Sequence, residues 1–79
     1  MSPTVFWFKK YRFFFNSREE TRRHVHIATP SGTAKFWLEP SVSIADYYLL
    51  SSSELKDIQK IVEDHKNDFI NEWNKHFNQ

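Results

Sequence analysis

Seventy-nine residues without a single cysteine set narrow limits. So short a chain buries only ~60–65% of the surface it exposes when unfolded, which leaves a thin margin of stability. The absence of cysteine excludes disulfides, thiolate metal sites and cysteine nucleophiles. Support must then come from aromatic packing, for which the 18% aromatic content provides, from a metal, or from another chain. The net charge of +1 and pI of about 8.1 are too balanced for a strong polyanion binder taken whole. Charge is nevertheless segregated, with an excess of Lys and Arg in residues 1–49 and of Asp and Glu in residues 50–79. The N-terminal MSPTVFWFKKYRFFF is broken by Lys9, Lys10 and Arg12, so it lacks the apolar run of a secretory signal, and nothing approaches a membrane span. A soluble, cytoplasmic protein with no membrane partner is expected.

In chain order, TVFWF (4–8) and YRFFF (11–15) are aromatic and β-branched around Lys9-Lys10 and read as a hairpin, although Lys-Lys lacks the usual turn chemistry. NSREETRR (16–23) is a polar loop. HVHIA (24–28), the turn TPSG (29–32) and TAKFWLE (33–39) form a second hairpin, stopped by Pro40, which cannot donate to a ladder. VSIADY (42–47) is a plausible last strand.

The helix signal is the clearest. Ser51 with Glu54 fits a capping box and Leu50 with Leu55 the staple around it. Leu55, Ile58, Val62, His65, Phe69, Trp73 and His76/Phe77 then recur at helical spacing, opposite Lys56, Lys60, Glu63, Asn67, Asn71 and Asn74. Running from about 52 to 77, this helix would span ~39 Å at 1.5 Å per residue, against ~17–20 Å for a typical strand. Trp73 and Phe77 would overhang the sheet and need cover from a second chain or a folded-back N-terminus. The expected fold is α+β: about four antiparallel strands in two hairpins, with one long C-terminal amphipathic helix packed on one face, a single domain over residues 1–79.

Alternation along a strand separates the two faces. Val25, Ile27, Phe36 and Leu38 should lie under the helix, joined by Tyr11, Phe13 and Phe15. His24, His26, Lys35, Trp37 and Glu39, with Arg12 and Phe14, should lie on the open face. Same-face neighbours on a strand are ~6.5–7 Å apart, close enough for two imidazoles to share an ion with Glu39 as a third ligand. His-x-His alone is a weak signal, and two exposed histidines on a solvated strand are the preferred explanation over a metal site, so no metal and no cofactor is assigned. Were the parity reversed, His24 and His26 would face the helix and could converge with His65.

A metal-independent ribonuclease would need an acid, a base and a cation for phosphorane charge. His26 as acid, Glu39 as base, and His24 beside them supply the first two. Arg12, Arg22, Arg23 and Lys35 supply phosphate contacts, and Trp37 and Phe14 a stacking platform. The same residues also fit a protein-binding patch, which is the preferred reading.

The stretches RFFF (12–15), HVHI (24–27), AKFWLEP (34–40) and EDHKNDFINEWNKHF (63–77), taken together, resemble a family of small bacterial proteins catalogued as a domain of unknown function and often labelled DhiT-like toxin components. The resemblance spans nearly the whole chain. It implies a toxin–antitoxin arrangement with a cognate small antitoxin protein as partner, and supplies no catalytic mechanism. Where family members tend to carry prolines before the paired histidines, this chain has Glu20-Thr21-Arg22-Arg23. The expected function is therefore a toxin-type component that binds a protein partner through the open sheet face and the C-terminal helix, with Trp73 and Phe77 in the patch and self-association as a second possibility. RNA is the alternative ligand.

Overall fold

The computed structural model describes residues 4–16 and 22–77. Five antiparallel strands make one open sheet: β1 (Thr4–Phe8), β2 (Tyr11–Phe14), β3 (His24–Ala28), β4 (Thr33–Trp37) and β5 (Ser43–Tyr48), in the spatial order of the chain. Two helices follow, α1 (Ser52–Asp64) and α2 (Lys66–Phe77). The class is α+β as the pattern predicts. The sheet gains a fifth strand over the four expected, and the single long helix is two. Residues 17–21 of the polar 16–23 stretch lie outside the described residues.

Each hairpin closes by its own chemistry. Phe8 pairs with Tyr11 around Lys9-Lys10, and Lys9 takes the left-handed conformation (φ 53°) that such tight turns demand. In the second hairpin, the Thr29 hydroxyl accepts from the backbone N–H of Ser31 and of Gly32, both at 3.0 Å. Gly32 has to be glycine, because a Cβ there would collide with the carbonyl oxygen of Tyr48 and lie 2.8 Å from that of Leu49. Leu38 N–H still donates to Arg23 O at 2.9 Å, one step past β4, before Pro40, which has no N–H to donate, ends the ladder. β5 takes an extra residue opposite Lys35–Phe36, a bulge that shifts the parity of its first residues.

Parity on the inner face is as expected. Phe13, Val25, Ile27, Phe36 and Leu38 are wholly inaccessible, with Tyr11 and Phe15 close behind. The helices cover them with Ile58, Val62, Phe69 and Trp73, each at an expected stripe position, and with Ile61. Burial, then the nearby Asp57 carboxylate, raises the Tyr11 phenol above its ordinary value.

α1 starts where the capping box places it. Ser51 Oγ accepts from Glu54 N–H at 3.1 Å, and the Glu54 carboxylate accepts from Ser51 N–H at 3.1 Å. Lys10 Nζ lies 3.2 Å from the same carboxylate and so ties the first hairpin turn to the helix N-terminus. These contacts hold Glu54 below the ordinary carboxylate range, the Ser51 backbone bond contributing most and Lys10 next.

The C-terminal half corrects the expected overhang. His65 leaves helical geometry (φ −113°, ψ 17°) and α2 starts anew at Lys66. Neither glycine nor proline stands at the break, so packing decides it. A straight rod over residues 52–77 would measure ~39 Å, against 34 Å along the longest principal axis of the molecule. Bent, the two helices of 13 and 12 residues are each about one strand long. The backbone ladder runs up to the bend (His65 N–H to Ile61 O, 3.1 Å) and away from it (Phe69 N–H to His65 O, 3.0 Å). Trp73 is consequently buried at 1% exposure against Phe15, and Phe77 packs on Trp73 with ring centroids 4.2 Å apart. Among the described residues no helix is long and apolar enough to cross a membrane.

Two outcomes follow from the cap. Ser51→Ala should cost about 1 kcal/mol of unfolding free energy, read by urea denaturation. Because Glu54 is depressed when folded, its contribution is complete above its ordinary value near 4.5 and is lost as pH falls through the folded value. A melting-temperature series should therefore drop below about pH 4.5 in the wild-type chain, and drop less in Glu54→Gln, which keeps an acceptor for the box without the titration.

Candidate functional site

The sheet face away from the helices carries side chains in rows set by the strand register. Phe14, His26, Lys35 and Asp46 lie opposite one another across four strands. Below them runs the His24–Trp37–Ser43 row, and above them Trp7, Arg12, Ala28, Thr33 and Tyr48. Phe14, His26, Lys35, Asp46 and Tyr48 border a shallow groove of about 250 Å³.

Within these rows cations sit on aromatic rings. Arg12 lies 4.5 Å from the Phe14 centroid, while Phe14 and His26 stack at 5.4 Å and 23°. Trp37 carries two cations, the Arg22 guanidinium at 4.1 Å and Lys35 Nζ at 4.6 Å. Arg22 is exposed and is fixed by donating from Nε to the Glu39 carbonyl at 3.0 Å. The Asn16 amide nitrogen donates to His26 Nε2 at 3.2 Å. Each such stack is worth ~0.5–1 kcal/mol at an exposed site, enough to orient a cation.

Five of the expected site residues are placed otherwise than expected. His24 is wholly inaccessible rather than exposed. It stands at the end of the sheet, where Trp37 flanks its ring at 5.6 Å and Trp73 reaches it from α2 at 4.9 Å. Its Nδ1–H donates to Arg22 O at 2.7 Å, which fixes the tautomer. Glu39 is turned to the entrance of β3, where its carboxylate accepts from Arg23 Nη1 at 3.2 Å and Arg23 N–H at 3.4 Å. Arg23, expected as a phosphate contact, is half-buried: its Nε donates to Asn74 Oδ1 at 3.0 Å, clasping α2 to the sheet. Trp73 and Phe77, expected on the partner surface, belong to the core and its margin.

The structure thus assembles Arg12, Phe14, Arg22, His26, Lys35 and Trp37 on one surface and engages the Glu39 carboxylate with Arg23. His65 rests on Phe6 across the inner face, ring centroids 4.9 Å apart, and does not join His24 and His26. Among the described residues no group of three or more His, Cys, Asp or Glu side chains could hold a metal ion. Asp46 and Tyr48 were missed because the β5 bulge hides their parity. Trp7 could have been placed on this face from its position across the first hairpin from Arg12. Nothing in the sequence marks Asn16 or Asn74.

A family model for a domain of unknown function, DUF4160, matches residues 10–74. The chain belongs to the DUF4160 family. The match runs from the first hairpin turn through most of α2, so it takes in the whole open face except Trp7. No curated protein and no solved structure matches the chain.

The two histidines of this family member should respond differently to truncation. His24→Ala empties a closed site among two tryptophans and should cost ~2–3 kcal/mol, as for a buried side chain of similar size. His26→Ala, on the groove, should cost under ~1 kcal/mol. Paired denaturation curves check the difference; equal losses would contradict the burial of His24.

Proposed function

We propose that the chain is the toxin-type component of a bacterial toxin–antitoxin pair, and that it acts as a protein-binding module whose open sheet face receives a cognate small antitoxin protein. One observation carries this reading: the cation-on-aromatic arrangement of Arg12, Arg22 and Lys35 over Phe14 and Trp37. Cations that lie on the rings compete with bases for the same π-faces, which disfavours the stacking that single-stranded nucleic acid uses. Guanidinium and ammonium groups oriented on a rigid sheet suit carboxylates on a folded partner. The ribonuclease alternative has less support, since Glu39 is engaged by Arg23 and His24 is buried, leaving His26 without the second proton-transfer group assigned to it.

The reading expects an acidic patch on the partner and a complex that weakens with salt. The test is co-expression and pull-down with the product of the adjoining gene, alongside an RNA cleavage assay on the purified chain. Arg22→Ala and Trp37→Ala should each weaken the complex at least ~10-fold, the range of an interface hot spot. Lys56→Ala, on the exposed side of α1, should leave it unchanged. Unaltered binding in both face variants, or RNA cleavage that His26→Ala abolishes, would sink the proposal.

A further inference from the structure

The sheet has two edges, and they are treated differently. At β5 the Tyr47 N–H is taken by the neighbouring Asp46 carboxylate at 2.9 Å, which discourages a further strand from pairing there; register irregularities occur in both edge strands, in β1 between Thr4 and Phe6 and in β5 opposite Lys35–Phe36. The other edge, β1, reads TVFWF, with no charge and no proline, and its Trp7 is 63% exposed. We propose that β1 is a self-pairing edge: two copies of the chain join antiparallel along it, on a two-fold axis at Trp7, to make one sheet continuous through both.

Hydrogen-bond phase and side-chain register agree on that axis. Phe8 and Tyr11 flank a two-residue turn and so form a hydrogen-bonded pair. Alternation then turns the N–H and C=O of Trp7 to the outer edge, where Trp7 of the second copy can exchange both bonds with it. In this register Phe6 falls opposite Phe8 of the second copy, and Phe8 opposite its Phe6. Phe6 and Phe8 share the helix side of β1, their rings 6.2 Å apart, so the pairing brings aromatics together across the strands. The two Trp7 rings meet on the open face.

A cleft of about 400 Å³ between β1 and α2 receives the incoming side chains; Phe6 and Phe69 lie in its wall. Its rim is polar, with Lys75 Nζ 3.7 Å from Glu72 and His65 Nδ1 3.5 Å from Asp68, while Val5, Phe6 and Phe69 form an apolar wall against which an aromatic from a second β1 would pack.

Sedimentation velocity on the full chain, from low to high micromolar concentration, tests the inference. The wild-type chain should pass to a species of twice the chain mass. Trp7→Lys should remain at single mass with an unchanged circular dichroism spectrum, because that side chain is largely exposed, while Tyr48→Lys on the opposite edge should still dimerise. In case Trp7→Lys fails to fold, amide exchange of the wild-type chain gives an independent reading: protection of the Trp7 N–H should rise with concentration. A wild-type chain of single mass throughout, a dimer that survives Trp7→Lys, or a Trp7 amide that exchanges freely in the dimer would overturn it.

Discussion

The aromatic inner face of the sheet has to be covered by a helical segment about twice as long as the strands beneath it. Phe13, Phe15, Phe36 and their aliphatic neighbours are the sheet's half of the buried core, and so small a chain can leave little of it uncovered. A single straight helix would cover them with its first half and carry Trp73 into solvent. Bending at His65 lets α1 bring Ile58 and Val62 to the sheet while α2 brings Phe69 onto Phe13 and Trp73 onto Phe15. One residue leaves helical geometry in exchange for the burial of two large rings, each worth on the order of 1.5–3 kcal/mol.

The open face inherits its arrangement from that bend. With the helix broken at His65, Asn74 comes within reach of Arg23, whose other nitrogen holds the Glu39 carboxylate. The clasp joins the entrance of β3, the exit of β4 and α2 at one end of the sheet. It leaves the backbone carbonyl of Glu39 to fix Arg22 over Trp37. Of two adjacent arginines, one is therefore spent on holding the fold together and the other is presented on the surface. Trp73 closes over His24 at the same end, so of two histidines one residue apart His24 is a core residue and His26 belongs to the groove.

Surface chemistry and edge chemistry point to different kinds of contact. The open face is polar, cationic and set on rigid strands, which favours a partner recognised by charge. β1 is apolar and uncharged and offers backbone groups, which favours another strand. The two surfaces adjoin at Trp7, opposite Arg12 in the register, so a partner on the face and a copy on the edge would be neighbours rather than competitors for one patch.

The amino-acid sequence by itself determined the local and periodic features. Alternation fixed Val25, Ile27, Phe36 and Leu38 as inner residues, helical spacing fixed Ile58, Val62, Phe69 and Trp73 as the covering stripe, and Ser51 with Glu54 fixed where the first helix begins. Each rests on interactions within a few residues, or on one face of one element, and so is written in short windows. The helix break, the burial of His24, the Arg23–Glu39–Asn74 clasp and the β5 bulge were decided only by the tertiary structure. They join residues as far apart as Arg23 and Asn74, and they answer to the length of the sheet and the closure of its end. Those quantities exist only once the strands are side by side, because no local pattern encodes how much helix a finished sheet has room to hold.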